Sequence, residues 1–87
     1  MRIIIVGCGN VGQTLTQQLS KEGHDITVIE EKRNVLQNVV NSYDVMGIVG
    51  NGASYSIMKD AGIESADLMI AVTDSDELNL LCCLIAK

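Results

Sequence analysis

The sequence predicts an α/β protein with a parallel sheet and helices on both of its faces. Short β-branched runs alternate with segments whose apolar residues recur at helical spacing, which is typical of β-α-β units. The first apolar run also passes directly into a GxGxxG pattern, Gly7 to Gly12, which in doubly wound sheets joins the first strand to the first helix. We therefore predict a Rossmann-like doubly wound sheet with strand order 3-2-1-4.

The first half of the chain contains two strand and helix pairs. A buried strand is predicted at Arg2–Val6, and a helix follows over residues 10–22, where apolar residues recur every four positions and Gly23 ends the helix. A second β-branched strand covers residues 25–29. A second helix, over residues 32–40, has its apolar residues on one face.

The second half repeats the pattern with shorter elements. We predict a third strand over residues 44–49, a short helix over 54–61 with a Ser54 cap, and a fourth strand over 68–72. A last helix over residues 74–87 begins with acidic residues that suit the helix dipole. Because this helix is apolar on nearly every face, we expect a fragment of a longer chain, truncated after the fourth β-α unit. The alternative is a small complete domain.

Composition limits both the number of domains and the partners. The 87 residues have room for one domain, residues 1–87, and the net charge of −5 argues against a nucleic-acid partner. The three cysteines form no disulfide framework. The longest apolar run has seven residues, against about 20 for a membrane span. We therefore expect a cytoplasmic domain without direct membrane insertion.

The glycine pattern predicts a phosphate-binding loop. Gly7 would allow a tight turn, Gly9 would let the backbone approach a phosphate, and Gly12 would let the helix pack closely on the strand. The free amides at the start of the helix, from Asn10 onward, favour an anion. The pattern lacks the Lys-Ser/Thr continuation of a P-loop. A tight turn without a ligand is the alternative interpretation.

Glu30 ends the second predicted strand, 18 residues beyond Gly12. An acidic side chain in that place accepts hydrogen bonds from the hydroxyls of an adenosine ribose and repels a 2′-phosphate. The expected ligand is therefore NAD(H) or an adenine nucleotide and not NADP(H). The alternative is a solvated acid at a helix start, beside Glu31.

Thr73 and Asp74 follow the fourth predicted strand. In a 3-2-1-4 sheet the end of this strand lies beside the glycine loop, so these two residues are expected to face the phosphates and the distal ribose of a nucleotide. Capping of the last helix is the alternative.

The sequence offers no catalytic set for a dehydrogenase, so we expect no enzyme. Such an enzyme needs a proton donor or acceptor beside the nicotinamide. His24 falls in the turn before the second strand, at the far end of the sheet. Cys8 lies at a helix N-terminus, where a thiolate is favoured, but we interpret it as a small side chain tolerated in the loop. No metal ligands are expected.

Four sequence blocks carry a family resemblance: GCGNVGQ, VIE, VGNGAS and AGIESADLMIAVTDSDELNLL. Together they resemble the N-terminal nucleotide-binding (RCK or KTN) domain of TrkA-type regulators of bacterial potassium uptake, over essentially the whole chain. The resemblance implies that Glu30 holds the adenosine ribose and that Thr73 and Asp74 hold the remainder of the nucleotide. It implies that five loop residues hold the pyrophosphate: Gly7, Cys8, Gly9, Asn10 and Val11. Asn51 would lie near the adenine, although many relatives read GDAT where this chain reads GNGA.

The resemblance also implies a regulatory function in potassium ion transport. NAD(H), or alternatively ATP or ADP, would bind between strands one and four and shift a homo-oligomer, a dimer or a ring of dimers. That assembly would gate a membrane potassium-translocating subunit from the cytoplasmic, inner face of the membrane. The alternative function is the N-terminal half of an NAD-dependent dehydrogenase.

Overall fold

The computed structural model describes residues 1–52, 54–73 and 79. Within them, four parallel strands form one sheet in the predicted order, β3-β2-β1-β4. The strands are β1 (Arg2–Val6), β2 (Asp25–Glu30), β3 (Met46–Val49) and β4 (Leu68–Ala71). The helices are α1 (Asn10–Lys21), α2 (Arg33–Ser42) and α3 (Tyr55–Asp60), with a 3₁₀ turn at Ile63–Ser65. None of the helices in this part of the chain is long and apolar enough to cross a membrane.

Strand β1 lies at the centre of the sheet and sets the register of its neighbours. Val6 lies opposite Ile29 of β2 and Ala71 of β4, while Glu30 of β2 lies opposite Val49 of β3. All four strands therefore end at one edge of the sheet. The loops that leave their carboxyl ends meet there, which is where ligands bind in open α/β sheets.

Among the described residues, the core consists of two apolar clusters, one on each face of the sheet. Successive side chains of a strand point to opposite faces, so Ile3 and Ile5 join the cluster under α1 and α2, while Ile4 and Val6 join the cluster under α3. A strand covered on both faces needs an unbroken apolar run. This explains why Ile3 to Val6 are all apolar and almost completely buried.

Two predicted boundaries, those at the end of α2 and the start of β3, are wrong by two residues. Helix α2 runs to Ser42, because Tyr43 donates its backbone N–H to the Val39 carbonyl oxygen and continues the helical pattern. Val45 then donates its N–H to the Tyr43 carbonyl oxygen in a tight turn. Strand β3 consequently begins at Met46 rather than at residue 44.

Two features near α3 also differ from the prediction. Ser54 occupies the N-cap of α3 as expected, but its side chain makes no capping hydrogen bond with the described residues. After α3, Gly62 adopts a φ of +86° and leads into the 3₁₀ turn at Ile63–Ser65, which the sequence pattern did not indicate. The predicted last helix lies outside the described residues, apart from Asn79.

The glycine loop packs tightly at two of its glycines. Gly7 has a φ of +107°, and a Cβ there would lie 2.9 Å from the Val72 carbonyl oxygen. A Cβ on Gly12 would lie 2.0 Å from the Gly7 carbonyl oxygen. Real Cβ atoms do not approach backbone oxygen this closely, so helix α1 can rest on the end of β1 only because position 12 is glycine.

Gly12→Ala is therefore expected to destabilise the fold, although alanine is the better helix former by about 1 kcal/mol. The methyl group would force α1 away from Gly7, and overpacking of this kind costs about 1–3 kcal/mol. Gly47→Ala is the control, because the nearest atoms to its added methyl group belong to the side chains of Val40 and Leu36, which can adjust. Urea unfolding measures both; an equal or smaller loss for Gly12→Ala would contradict the close-packing argument.

Candidate functional site

A cavity of about 330 Å³ lies at the carboxyl edge of the sheet. This volume falls at the lower end of the range of small-molecule sites, about 300–1,000 Å³. The loops after all four strands contribute to its wall: Cys8 after β1, Glu31 after β2, Gly50 after β3 and Thr73 after β4. Glu30, the last residue of β2, lines it as well. The structure thus brings together the segments that the sequence analysis selected.

Glu30 connects two of these loops through its carboxylate. Its Oε1 accepts the backbone N–H of Cys8 at 2.9 Å, and its Oε2 accepts the backbone N–H of Lys32 at 2.9 Å. Hydrogen bonds to an ionised carboxylate are stronger than neutral ones. Because each oxygen can accept a second hydrogen bond, the carboxylate can still receive two ligand hydroxyls. Because Glu30 lines the cavity, its position favours the interpretation as a cavity residue over the alternative, a solvated acid at a helix start.

The start of α1 is suited to an anion. Gly9 is the N-cap residue, and among the described residues there is neither a side-chain cap nor an acid in the first turn. The first helical hydrogen bond runs from the Gln13 N–H to the Gly9 carbonyl oxygen at 2.8 Å. The preceding amides of Asn10, Val11 and Gly12 therefore have no acceptor within the helix and carry its positive dipole end.

The Cys8 and Gly7 amides have other partners. Cys8 N–H donates to Glu30, and Gly7 N–H donates to the Ile29 carbonyl oxygen at 2.9 Å. Any phosphate would therefore meet the amides of the first turn of α1 rather than these two. The predicted contact of Cys8 with the pyrophosphate would have to come from another part of the residue or from a rearranged loop.

Four further predicted residues do not form the wall of the cavity: Asn10, Val11, Gly12 and Asn51. Asn10 and Val11 are exposed on the first turn of α1, with 61% of Val11 accessible to solvent. Asn51 lies between Gly50 and Gly52, which both line the cavity, and its carbonyl oxygen accepts the N–H of Ser54 at 3.0 Å. Asp74, the remaining predicted residue, lies outside the described residues.

Thr73 lines the cavity and is held by Asn79. The Thr73 N–H donates to Asn79 Oδ1 at 2.9 Å, and the Thr73 hydroxyl donates to the same oxygen. In return Asn79 Nδ2 donates to the Thr73 carbonyl oxygen at 3.2 Å. Since a backbone N–H can only donate, the Asn79 amide has one consistent orientation. The sequence analysis assigned no role to Asn79. The sequence showed it only as an asparagine in the segment that follows Thr73.

Gln13 is a second residue that the sequence analysis did not identify. Its Nε2 donates to the Cys8 carbonyl oxygen at 2.9 Å, and the side chain lines the cavity. The signal was available in principle, because side chains in the first turn of a helix lean toward its N-terminus. Lys32 and Val35, which open α2, also line the cavity.

The Cys8 thiol is buried behind the loop. Burial, and secondarily the negative charge of Glu30, raises the pKa of this thiol from 9.0 to about 12. The helix N-terminus therefore does not produce a reactive thiolate here, which agrees with the interpretation of Cys8 as a small side chain tolerated in the loop.

Solved structures of similar fold include nucleotide-associated domains. The Kef CTD of Shewanella denitrificans, described in its AMP-bound form, matches with a TM-score of 0.86 and 21% identity over 99% of this chain and 51% of that chain. The NAD(P)-binding domain of an exopolyphosphatase-related protein from Archaeoglobus fulgidus matches with a TM-score of 0.85 and 14% identity, over 97% of this chain and 62% of that one. At these identities the similarity shows the fold alone.

Similar sequences are potassium uptake proteins. The Trk system potassium uptake protein TrkA of Haemophilus influenzae is 42% identical over 95% of this chain and 18% of its own length. A TrkA homolog of Methanothermobacter thermautotrophicus is 38% identical over 100% of this chain and 40% of its own length. The chain thus spans well under half of each of these relatives. A family model for the TrkA-N domain matches residues 3–87, and together these similarities show that the chain belongs to the TrkA-N domain family.

Proposed function

We propose that residues 1–87 form a regulatory domain that binds NAD(H), or alternatively ATP or ADP, in the cavity at the carboxyl edge of the sheet. The observation that carries this proposal is the position of Glu30, whose carboxylate faces the same cavity as the loop that leads into α1. The carboxylate suits ribose hydroxyls, and the loop with the first amides of α1 suits phosphate. The AMP-bound Kef CTD and the NAD(P)-binding domain of similar fold support an adenine nucleotide.

In the proposed complex the ribose hydroxyls donate to Glu30, and the phosphates lie over the glycine loop, Gly7 to Gly12. The amides of Asn10 and Val11 supply donors for the phosphates. The adenine lies toward Asn51, which is flanked by two cavity-lining glycines.

Thr73, which lines the cavity, contacts the part of the nucleotide beyond the adenosine. Asp74 is proposed to contact the same part. The nucleotide would therefore touch the loops after β1, β2, β3 and β4 at once.

The groups around the cavity support binding without catalysis. The titratable side chains that line it in the described part of the chain are those of Cys8, Glu30, Glu31 and Lys32. Of these, Cys8 is held as a neutral thiol, and the Glu30 carboxylate accepts two backbone N–H groups. His24 lies at the opposite end of the sheet, where its Nδ1 is 3.2 Å from the terminal amino group of Met1.

The regulatory part of the proposal rests on the TrkA relatives, which are described as Trk system potassium uptake proteins. We infer that nucleotide binding favours one of two conformations of a homo-oligomer, a dimer or a ring of dimers. A ligand shifts such an equilibrium only by its difference in affinity for the two states. The assembly would act on a membrane potassium-translocating subunit from the cytoplasmic, inner face of the membrane.

Calorimetric titration with NADH, NAD⁺, ATP and ADP tests the binding proposal. We expect saturable binding of at least one of these nucleotides and weaker binding of NADPH than of NADH, because Glu30 would repel the 2′-phosphate. Mixtures of the protein, NAD⁺ and a 2-hydroxy acid or alcohol are expected to show no change in nicotinamide absorbance. Turnover in that assay would favour the dehydrogenase alternative, and failure to bind any of the nucleotides would refute the proposal.

Glu30→Ala is expected to weaken ATP binding roughly ten- to a hundredfold, since hydrogen bonds to a charged group contribute about 1.5–3 kcal/mol. The variant also frees the Cys8 and Lys32 amides, so 2′-deoxy-ATP serves as a second ligand. Ribose recognition requires that the wild-type preference for ATP over 2′-deoxy-ATP disappears in Glu30→Ala. Asp25→Ala, at the other end of β2, is the matched control and should keep the preference. An unchanged preference in Glu30→Ala would exclude the ribose contact.

The Cys8 thiol is expected to resist alkylation at neutral pH. A thiol with a pKa of about 12 is almost entirely protonated there, so iodoacetamide should modify it at least about a hundredfold more slowly than an ordinary exposed cysteine. Replacing Cys82 and Cys83 by alanine leaves Cys8 as the one thiol, and mass spectrometry follows its modification. Unfolding in urea should restore the normal rate. Rapid modification of the folded protein would contradict the assigned burial.

A further inference from the structure

Gln13 holds two consecutive carbonyl groups of the glycine loop. Its backbone N–H donates to the Gly9 carbonyl oxygen at 2.8 Å, and its side-chain Nε2 donates to the Cys8 carbonyl oxygen at 2.9 Å. The amide group of Cys8 is fixed as well, because its N–H donates to Glu30 Oε1 at 2.9 Å. The loop between β1 and α1 is thus held at both its amide and its carbonyl groups.

The orientation of the Gln13 amide follows from its partner. A backbone carbonyl oxygen can only accept, so the group that faces Cys8 must be the NH₂ and not the carbonyl oxygen of Gln13. The side chain is otherwise exposed on the first turn of α1. An exposed glutamine loses conformational freedom when it is fixed in one position, so the hydrogen bond must offset that cost.

The electrostatic consequence concerns an anionic ligand. Cys8, Gly9 and Gln13 all line the cavity, and the amides of residues 10–12, which suit a phosphate, lie between Gly9 and Gln13 in the first turn of α1. The Cys8 carbonyl group therefore belongs to the same loop and helix start as these amides. A carbonyl oxygen carries partial negative charge and, without a donor, would repel a phosphate. The NH₂ of Gln13 offsets that charge and keeps the loop in the conformation in which its carbonyl groups are already bonded.

We propose that Gln13 is a positioning residue for the phosphate groups of the ligand, acting through the Cys8 carbonyl group. This inference rests on the proposed function, because it deepens the assignment of the glycine loop to phosphate. It predicts that changes at Gln13 alter the affinity for phosphorylated adenosine more than the affinity for adenosine itself.

The test compares Gln13→Met with Gln17→Met, a control on the same helix, one turn further along and likewise exposed. Methionine is similar to glutamine in length and helix propensity but has no donor. Binding of ADP and of adenosine is measured by NMR titration. For Gln13→Met we expect ADP affinity to fall about three- to tenfold, as for one lost hydrogen bond, with adenosine affinity within about twofold of wild type. Gln17→Met should match the wild type for both ligands.

Gln13→Glu extends the test by charge. The carboxylate cannot donate to the Cys8 carbonyl oxygen and adds a negative charge, so the loss of ADP affinity should exceed that of Gln13→Met. Equal losses for ADP and adenosine, or ADP binding by Gln13→Met equal to that of Gln17→Met, would overturn the inference while leaving the proposed function intact. If the wild type binds NADH but not ADP, NADH takes the place of ADP in this comparison. If it bound none of NADH, NAD⁺, ATP and ADP, the proposed function would fail, and this inference with it.

A measurement without ligand checks the contact itself. The amide nitrogen of Gly9 is bonded to the Cys8 carbonyl carbon, so its chemical shift responds to the hydrogen bond that the carbonyl oxygen accepts. Gln13→Met is expected to move this resonance in the ligand-free protein while the resonances of β1 and β2 stay in place, which also shows that the variant is folded. An unmoved Gly9 resonance would overturn the inference.

Discussion

The site depends on the close approach of helix α1 to the end of strand β1. A side chain at position 12 would collide with the Gly7 carbonyl oxygen, so the absence of one allows the helix to begin directly above the strand end. That placement directs the first amides of α1 along the carboxyl edge of the sheet. It also brings the Cys8 N–H within hydrogen-bond distance of Glu30. The cavity is therefore a result of how the central strand and its helix pack.

The two ends of the cavity have opposite electrostatic character. Glu30 presents a carboxylate, which favours ligand groups that donate hydrogen bonds, whereas the start of α1 presents amides and the positive end of the helix dipole. A ligand that satisfies both ends must carry hydrogen-bond donors and an anion a short distance apart. A ribose bearing a 5′-phosphate has this arrangement, whereas a free nucleobase or a free inorganic anion satisfies at most one end.

The sequence was sufficient for the strand order, the turn at Gly7 and the position of Glu30, because these follow from hydrophobic periodicity and from the special geometry of glycine. It was insufficient where a side chain bonds to a distant backbone group. The contacts of Gln13 with Cys8 and of Asn79 with Thr73 depend on loop conformations that no local pattern encodes. The start of β3 was misplaced for a similar reason, since the turn after α2 is set by backbone hydrogen bonds and not by side-chain type.

The buried thiol of Cys8 has a consequence for chemical stress. Peroxide attacks cysteine as the thiolate, and sulfenic acid forms most readily on exposed thiols of low pKa. A cysteine in a loop that lines a cavity would be an obvious place for oxidative damage, but here burial and the charge of Glu30 both hold the sulfur in its protonated form. Burial therefore protects the sulfur at the centre of this loop from oxidation, so that the backbone contacts of Cys8 do not depend on a reduced environment.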